Sequence, residues 1–303
     1  MQTPWDDLEV FDAHIHFFSR PFFDSLGSQA GKSAGEVAVT LDFDLPAEDP
    51  VELAHRWAVE LGRQGVARAA LIASTPGDEA SVIAAAAAFP DVFYAFAMIN
   101  PMAEHVAVSP ELDAICLFPA MHRYSIQDPR VRPLLDQADA QGCAVFVHCG
   151  VLTVGARKKL GLGSPFDMRF SNPIDLHAIA LQYPRIRFVI PHFGAGNFRE
   201  ALMVADMCPN VYLDTSSSNS WMRYEGLDLR TVFTRALSIV GPGRLLFGTD
   251  SSFFPRGWVG KVFEFQSVML AEMGIRQDDA AAIFGGNLQK ILRTPTAVSS
   301  AVP

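Results

Sequence analysis

Eight short apolar runs rich in β-branched and aromatic residues alternate with segments of helical spacing, and this alternation restricts the fold more than any other feature of the chain. The runs cover 9–17, 67–74, 92–99, 112–119, 144–150, 187–193, 210–216 and 245–251. Helical patterns lie between them at 50–64, 78–89, 129–141, 173–183, 197–207, 228–239 and 258–273. Asp49-Pro50 and Asn172-Pro173 place a polar N-cap before a proline at the first helical position. Gly65, Gly142 and Gly274 follow helices where a left-handed cap belongs. Eight strands, each followed by a helix, predict an α/β protein with a (β/α)8 TIM barrel over residues 1–293. A doubly wound sheet would want a glycine-rich phosphate turn after its first strand, and that position holds His14-Ile15-His16 instead. The small-residue tail at 294–303 is expected to be disordered.

Half of the 303 residues are hydrophobic, enough for one large core. Net charge is −9 and no Lys/Arg run stands out, so nucleic acid is not an expected partner. The four cysteines, Cys116, Cys143, Cys149 and Cys208, lack CxxC spacing and read as buried free thiols in a reducing compartment. The start shows no signal-peptide pattern. The most apolar stretch, from Val82 to Met102, is broken by Pro90, Asp91 and Asn100, so no membrane partner is expected and the cytoplasm is the predicted location.

Four histidines and one aspartate end these apolar runs: His14 and His16, His148, His192 and Asp250. Side chains alternate across a strand, so His14 and His16 are predicted to share a face. Imidazoles joined by a carboxylate suit a borderline-soft divalent ion. The connections after strands one, five, seven and eight are long, roughly 18–48, 151–172, 217–227 and 252–257. In a barrel these loops share the face on which the strands end, where the same five residues lie. The glycines of the first loop suggest a mobile lid over a substrate, or plain disorder.

The chain resembles the amidohydrolase-2 group of the amidohydrolase superfamily. The matching residues are Asp12-Ala13-His14-Ile15-His16, Val147-His148-Cys149-Gly150, Pro191-His192-Phe193-Gly194-Ala195-Gly196, Phe247-Gly248-Thr249-Asp250 and Gly285-Gly286-Asn287-Leu288, spread over about 9–292. The resemblance implies a TIM barrel, a homo-oligomer and a small-molecule substrate. It also implies one divalent ion, Zn2+ or Mn2+, held by His14, His16, His148 and Asp250, with His192 as an acid/base or polarising group. Asp250 would serve twice, as ligand and as acceptor of a proton from the attacking water. Binuclear members of the superfamily carry a lysine or Glu on the fourth strand, where this chain has Leu112 to Pro119 with no lysine, so one ion is expected. Cys116 on that strand reads as a small buried thiol.

Arginine offers a planar fork matched to a carboxylate, which makes Arg123, Arg157, Arg169, Arg223 and Arg256 candidate substrate contacts, together with the aromatic wall residue Trp221. The function these readings predict is metal-dependent hydrolysis of a small carboxylated or cyclic substrate of lactone or amide type. A metal-dependent, non-oxidative decarboxylase of an aromatic or related acid needs nearly the same residues. A barrel that binds a small ligand without turnover is the third alternative.

Overall fold

The computed structural model describes residues 2–104, 106–152, 154–216 and 219–292. Eight parallel strands form a nearly closed barrel: β1 (Val10–Phe17), β2 (Val66–Ala73), β3 (Phe93–Ile99), β4 (Ala114–Leu117), β5 (Ala144–Val147), β6 (Phe188–Ile190), β7 (Val211–Asp214) and β8 (Leu245–Leu246). Each pairs with the next in order from β1 to β8, with helices in the connections. All eight expected strands are present. The tail at 294–303 lies outside the described residues.

One apolar layer packs strands against the outer helices, and another fills the barrel with side chains such as Ile72, Phe96, Cys116, Phe146 and Val189. The second layer is the floor on which a site at the strand ends must rest. The four cysteines are buried thiols outside any disulfide among the described residues. Burial pushes the Cys116 thiol well up, so it stays protonated inside the barrel.

β1 and β8 meet through few backbone bonds. The Ala13 amide donates to the Phe247 carbonyl at 2.8 Å, the Asp250 amide to the His14 carbonyl at 3.0 Å and the His16 amide to the Ser251 carbonyl at 2.7 Å. Asp12 supplies the rest of the seam. Its buried carboxylate accepts from the His14 amide (2.9 Å), the Thr249 amide (3.1 Å), the Thr249 hydroxyl (2.5 Å) and the Trp258 indole (2.7 Å). Burial raises its pKa to about 6, against the pull of these donors.

The predicted loop at 18–48 is largely helical. α1 (Arg20–Ala30) ends on Gly31 in the left-handed conformation, and α2 (Ala34–Leu41) opens with a capping box between Ser33 and Glu36. The two helices bury Phe22, Phe23, Leu26, Val37 and Leu41 against each other, with Leu160 and Leu162 packed alongside. Of the glycines that suggested mobility, Gly31 caps a helix, while Gly27 and Gly35 lie within α1 and α2. Asp49 and Asn172 cap as expected, each accepting from the amide two residues on.

Asp12→Ala would leave two buried backbone amides and an indole N–H without their acceptor. We expect a loss of about 3 kcal/mol in unfolding free energy by urea denaturation, with Asp12→Asn, which keeps one acceptor oxygen, losing less.

Candidate active site

His14 and His16 lie within β1, whereas β5, β6 and β8 end before His148, His192 and Asp250, and the backbone turns sharply beyond β6 and β8. After β6 a short 3-10 turn covers Pro191–Gly194, with His192 at φ 55° and Phe193 at φ 53°. After β8, Asp250 sits at φ 59°. His192 and Asp250 thus lie beyond the strands to which the apolar runs assigned them. Left-handed backbone at residues other than glycine is uncommon and costly, and it concentrates where side chains must be aimed precisely. Gly150, which follows β5 at φ 75°, is packed so tightly that a Cβ would lie 2.1 Å from the Gly194 carbonyl oxygen. That contact locks the loop carrying His148 to the loop carrying His192.

These turns bring all five predicted residues together. The His14 ring centroid is 5.1 Å from that of His16 and 4.9 Å from that of His192, and His148 lies 5.3 Å from His192. Asp250 Oδ1 is 3.3 Å from His16 Nε2 and 3.9 Å from His14 Nε2. Ligand atoms of His14, His192 and Asp250 all lie within 4.8 Å of one another, so His192 is close enough to be a ligand as well as a proton carrier.

Three of the four rings are oriented from behind, while His148 Nδ1 is buried without a hydrogen-bond partner among the described residues. His14 Nδ1 is 2.6 Å from Asp214 Oδ2, both groups being buried. His16 Nδ1 bonds the Ser74 hydroxyl at 2.7 Å. His192 Nδ1 lies 3.2 Å from the Ser216 carbonyl oxygen and 2.9 Å from its hydroxyl. With Nδ1–H donated to that carbonyl, a neutral His192 carries its lone pair on Nε2. His14 Nε2 is buried and has no hydrogen-bond partner among the described residues. A buried imidazole nitrogen left open, with a carboxylate on the opposite nitrogen, is the arrangement by which proteins hold a metal ligand. The residues therefore fit a divalent ion.

The electrostatics agree. Burial disfavours the charged form of His14, but the Asp214 charge outweighs it and raises the His14 pKa. Burial lowers His192, and burial together with the neighbouring histidines holds His148 well below the usual range. Burial alone would raise Asp250, yet the His16 hydrogen bond and the charges of His192, His16 and His14 pull it far down, so the carboxylate is ionised.

A cavity of about 390 Å3 opens over these groups. Phe18 and Phe22 stack at 3.8 Å between ring centroids, and Phe43 and Phe253 at 3.6 Å. Two of the predicted substrate contacts line this cavity, Trp221 and Arg256. The Arg256 guanidinium lies 4.5 Å over Phe253 and donates to the Ser252 hydroxyl. Lys159 is a second cation on the wall. Arg123, Arg157, Arg169 and Arg223 are not among the described lining of this cavity. Arg123 donates to the Pro165 carbonyl, Arg157 to Gln29 and the Gly163 carbonyl, Arg169 pairs with Asp167, and Arg223 donates to Tyr224. Trp258 is buried at the seam on Asp12.

Sequence reasoning passed over Asp214, Ser74 and Ser216. Asp214 carried a visible signal, because it ends the apolar run Val211-Tyr212-Leu213 as the other site residues end theirs. The two serines had none. Asp214→Asn should weaken metal binding about 10- to 100-fold, read by competition with a chromogenic chelator, while the fold is retained.

A sequence model of the amidohydrolase family matches residues 11–294. Over 96 residues the chain is 35% identical to the protein fluG of Emericella nidulans, a stretch that covers 31% of this chain and 11% of fluG. Solved structures share the fold at low identity. The 5-carboxyvanillate decarboxylase LigW from Sphingomonas paucimobilis is 15% identical, with 95% of this chain and 99% of that one covered and a TM-score of 0.63. An amidohydrolase from Burkholderia multivorans with bound zinc is 14% identical over 93% of this chain and 98% of that one, at 0.58. A protein designated a 2-pyrone-4,6-dicarboxylic acid hydrolase, from Pseudomonas putida, is 16% identical over 94% and 97%, also at 0.58. No helix among the described residues is long and apolar enough to cross a membrane.

Proposed function

The chain belongs to the amidohydrolase family, and from that premise we propose that it is a metal-dependent hydrolase of a small carboxylated or cyclic substrate, of lactone or amide type. The observation that carries this reading is the open, buried His14 Nε2 beside Asp250 and His192 beneath an aromatic cavity. One divalent ion, zinc or manganese, would be held by His14, His16, His148 and Asp250. When bound it supplies Lewis acidity to a carbonyl and a source of nucleophilic water at neutral pH.

The chain's own groups do the remaining work. The stacked pairs Phe18/Phe22 and Phe43/Phe253 accept a planar, apolar body. Arg256 pairs with a substrate carboxylate at the cavity wall. The ionised Asp250 carboxylate takes the proton of the attacking water. His192, its Nδ1 held by Ser216, presents Nε2 to the reacting group and relays that proton to the leaving oxygen or nitrogen, so that one water is added overall.

A decarboxylase is the second reading, favoured by the apolar walls, which would strip water from a substrate carboxylate. It needs a proton delivered to carbon. The acceptor geometry at Asp250 and His192 suits removing a proton from water better, which ranks hydrolysis first. The relatives bear on the choice from both sides, since LigW is a decarboxylase and the Pseudomonas putida protein is designated a hydrolase.

Incubation of zinc- or manganese-loaded protein with lactones, amides and aromatic acids in heavy-oxygen water separates the readings. Label in the product with no carbon dioxide is the expected result. Carbon dioxide without label establishes the lyase. Binding without turnover under any metal leaves a ligand-binding barrel. Within this scheme His192→Asn should lower kcat about 100-fold or more and leave metal content unchanged. Loss of metal along with activity would place His192 among the ligands instead.

A further inference from the structure

A second chamber of about 250 Å3 adjoins the reaction cavity. The two share Phe22, Ser74, Met98, Met121 and Val154 as wall residues, so the same side chains border both. Their chemistry differs. Around the second chamber stand Ser25, Gln29, Thr75, His122 and Arg157, and among its described lining there is no carboxylate. The chamber thus offers hydrogen-bond donors and one fixed positive charge, with no negative charge to oppose an anion.

His122 is the telling residue. It ends the short helix Pro119–His122 that leaves β4, and its Nδ1 is buried without a partner among the described residues. Buried polar atoms are nearly always satisfied, so an open one on a cavity wall marks a place for a ligand atom. Burial depresses its pKa to about 4, which keeps the ring neutral and able to donate one hydrogen bond. Arg157 is already set in place, with Nη1 on Gln29 of α1 and Nε and Nη2 on the Gly163 carbonyl. Its orientation needs no reorganisation when an anion arrives. Ser74 borders both chambers and also holds His16 Nδ1, so the second chamber lies one hydrogen bond away from the histidine cluster.

We propose that this chamber is a distal subsite for a carboxylate or comparable anionic group, with His122 and Arg157 as its contacts, and that the substrate is an elongated acid with anionic groups at both ends. The proposal rests on the reading of the histidine cluster as the reaction centre.

Two probe pairs of different length test it by isothermal titration of the full chain: benzoate against terephthalate, and cinnamate against para-carboxycinnamate. At least one diacid should bind about tenfold tighter than its monoacid partner. His122→Phe and Arg157→Gln should each cut that advantage to about twofold or less, with monoacid affinity unchanged. His122→Phe leaves the Arg157 clamp intact, so a folding defect in Arg157→Gln does not decide the matter. Equal affinities at both lengths, no binding of any diacid, or variants that weaken both members of a pair alike would overturn the subsite. If a diacid keeps its advantage and His14→Asn leaves the monoacid untouched, the subsite stands and the placing of the reaction at the histidine cluster fails.

Discussion

Everything at the mouth of this barrel hangs on the carboxylate of Asp12. It reaches from the first strand to Thr249 and Trp258 across the closing seam, 237 residues away in sequence from Thr249. Its oxygens also accept from the amide of His14, itself a member of the cluster. A two-residue β8 supplies few ladder bonds of its own, so a side chain takes over where backbone pairing gives out. The geometry of His14 against Asp250 is therefore inherited from a buried charge with four donors. Such a carboxylate is tolerable inside a protein only when it is fully satisfied.

The same logic recurs one layer out. Asp214 fixes His14, Ser74 fixes His16 and Ser216 fixes His192. Each oriented ring leaves its far nitrogen for chemistry. Rigid strand ends hold the outer partners, whereas the aromatic walls come largely from α1, the chain following α2 and the loop after β8. The fold thereby separates two tasks, exact aim below and shape recognition above.

The barrel was legible because its strands are nearly continuous apolar runs and its helices carry ordinary caps. The five central residues were legible for a related reason: a polar residue at the end of such a run has no structural excuse. Asp214 met that criterion and was still missed, because a lone aspartate before Thr215 and Ser216 also reads as the start of a turn. The serine partners act through hydroxyls that no local pattern distinguishes from surface serines. The α1–α2 pair was read as a loop because each helix is short and its glycines suggested freedom, when Gly31 in fact closes a helix. The arginines show the limit most plainly. Guanidinium chemistry nominated five, but partners distant in sequence, such as Gln29 for Arg157, decide where each one points.

The spacing of the cluster also governs when the site can exist. His14 lies on the first strand and Asp250 beyond the eighth, and the Asp12 seam forms only when both are in place. During synthesis on the ribosome, the nascent chain exposes His14 and His16 long before their carboxylate partner emerges. Until then the early histidines are isolated imidazoles without the geometry to retain a cation. Acquisition of the ion proposed for this site would thereby be postponed to the end of assembly.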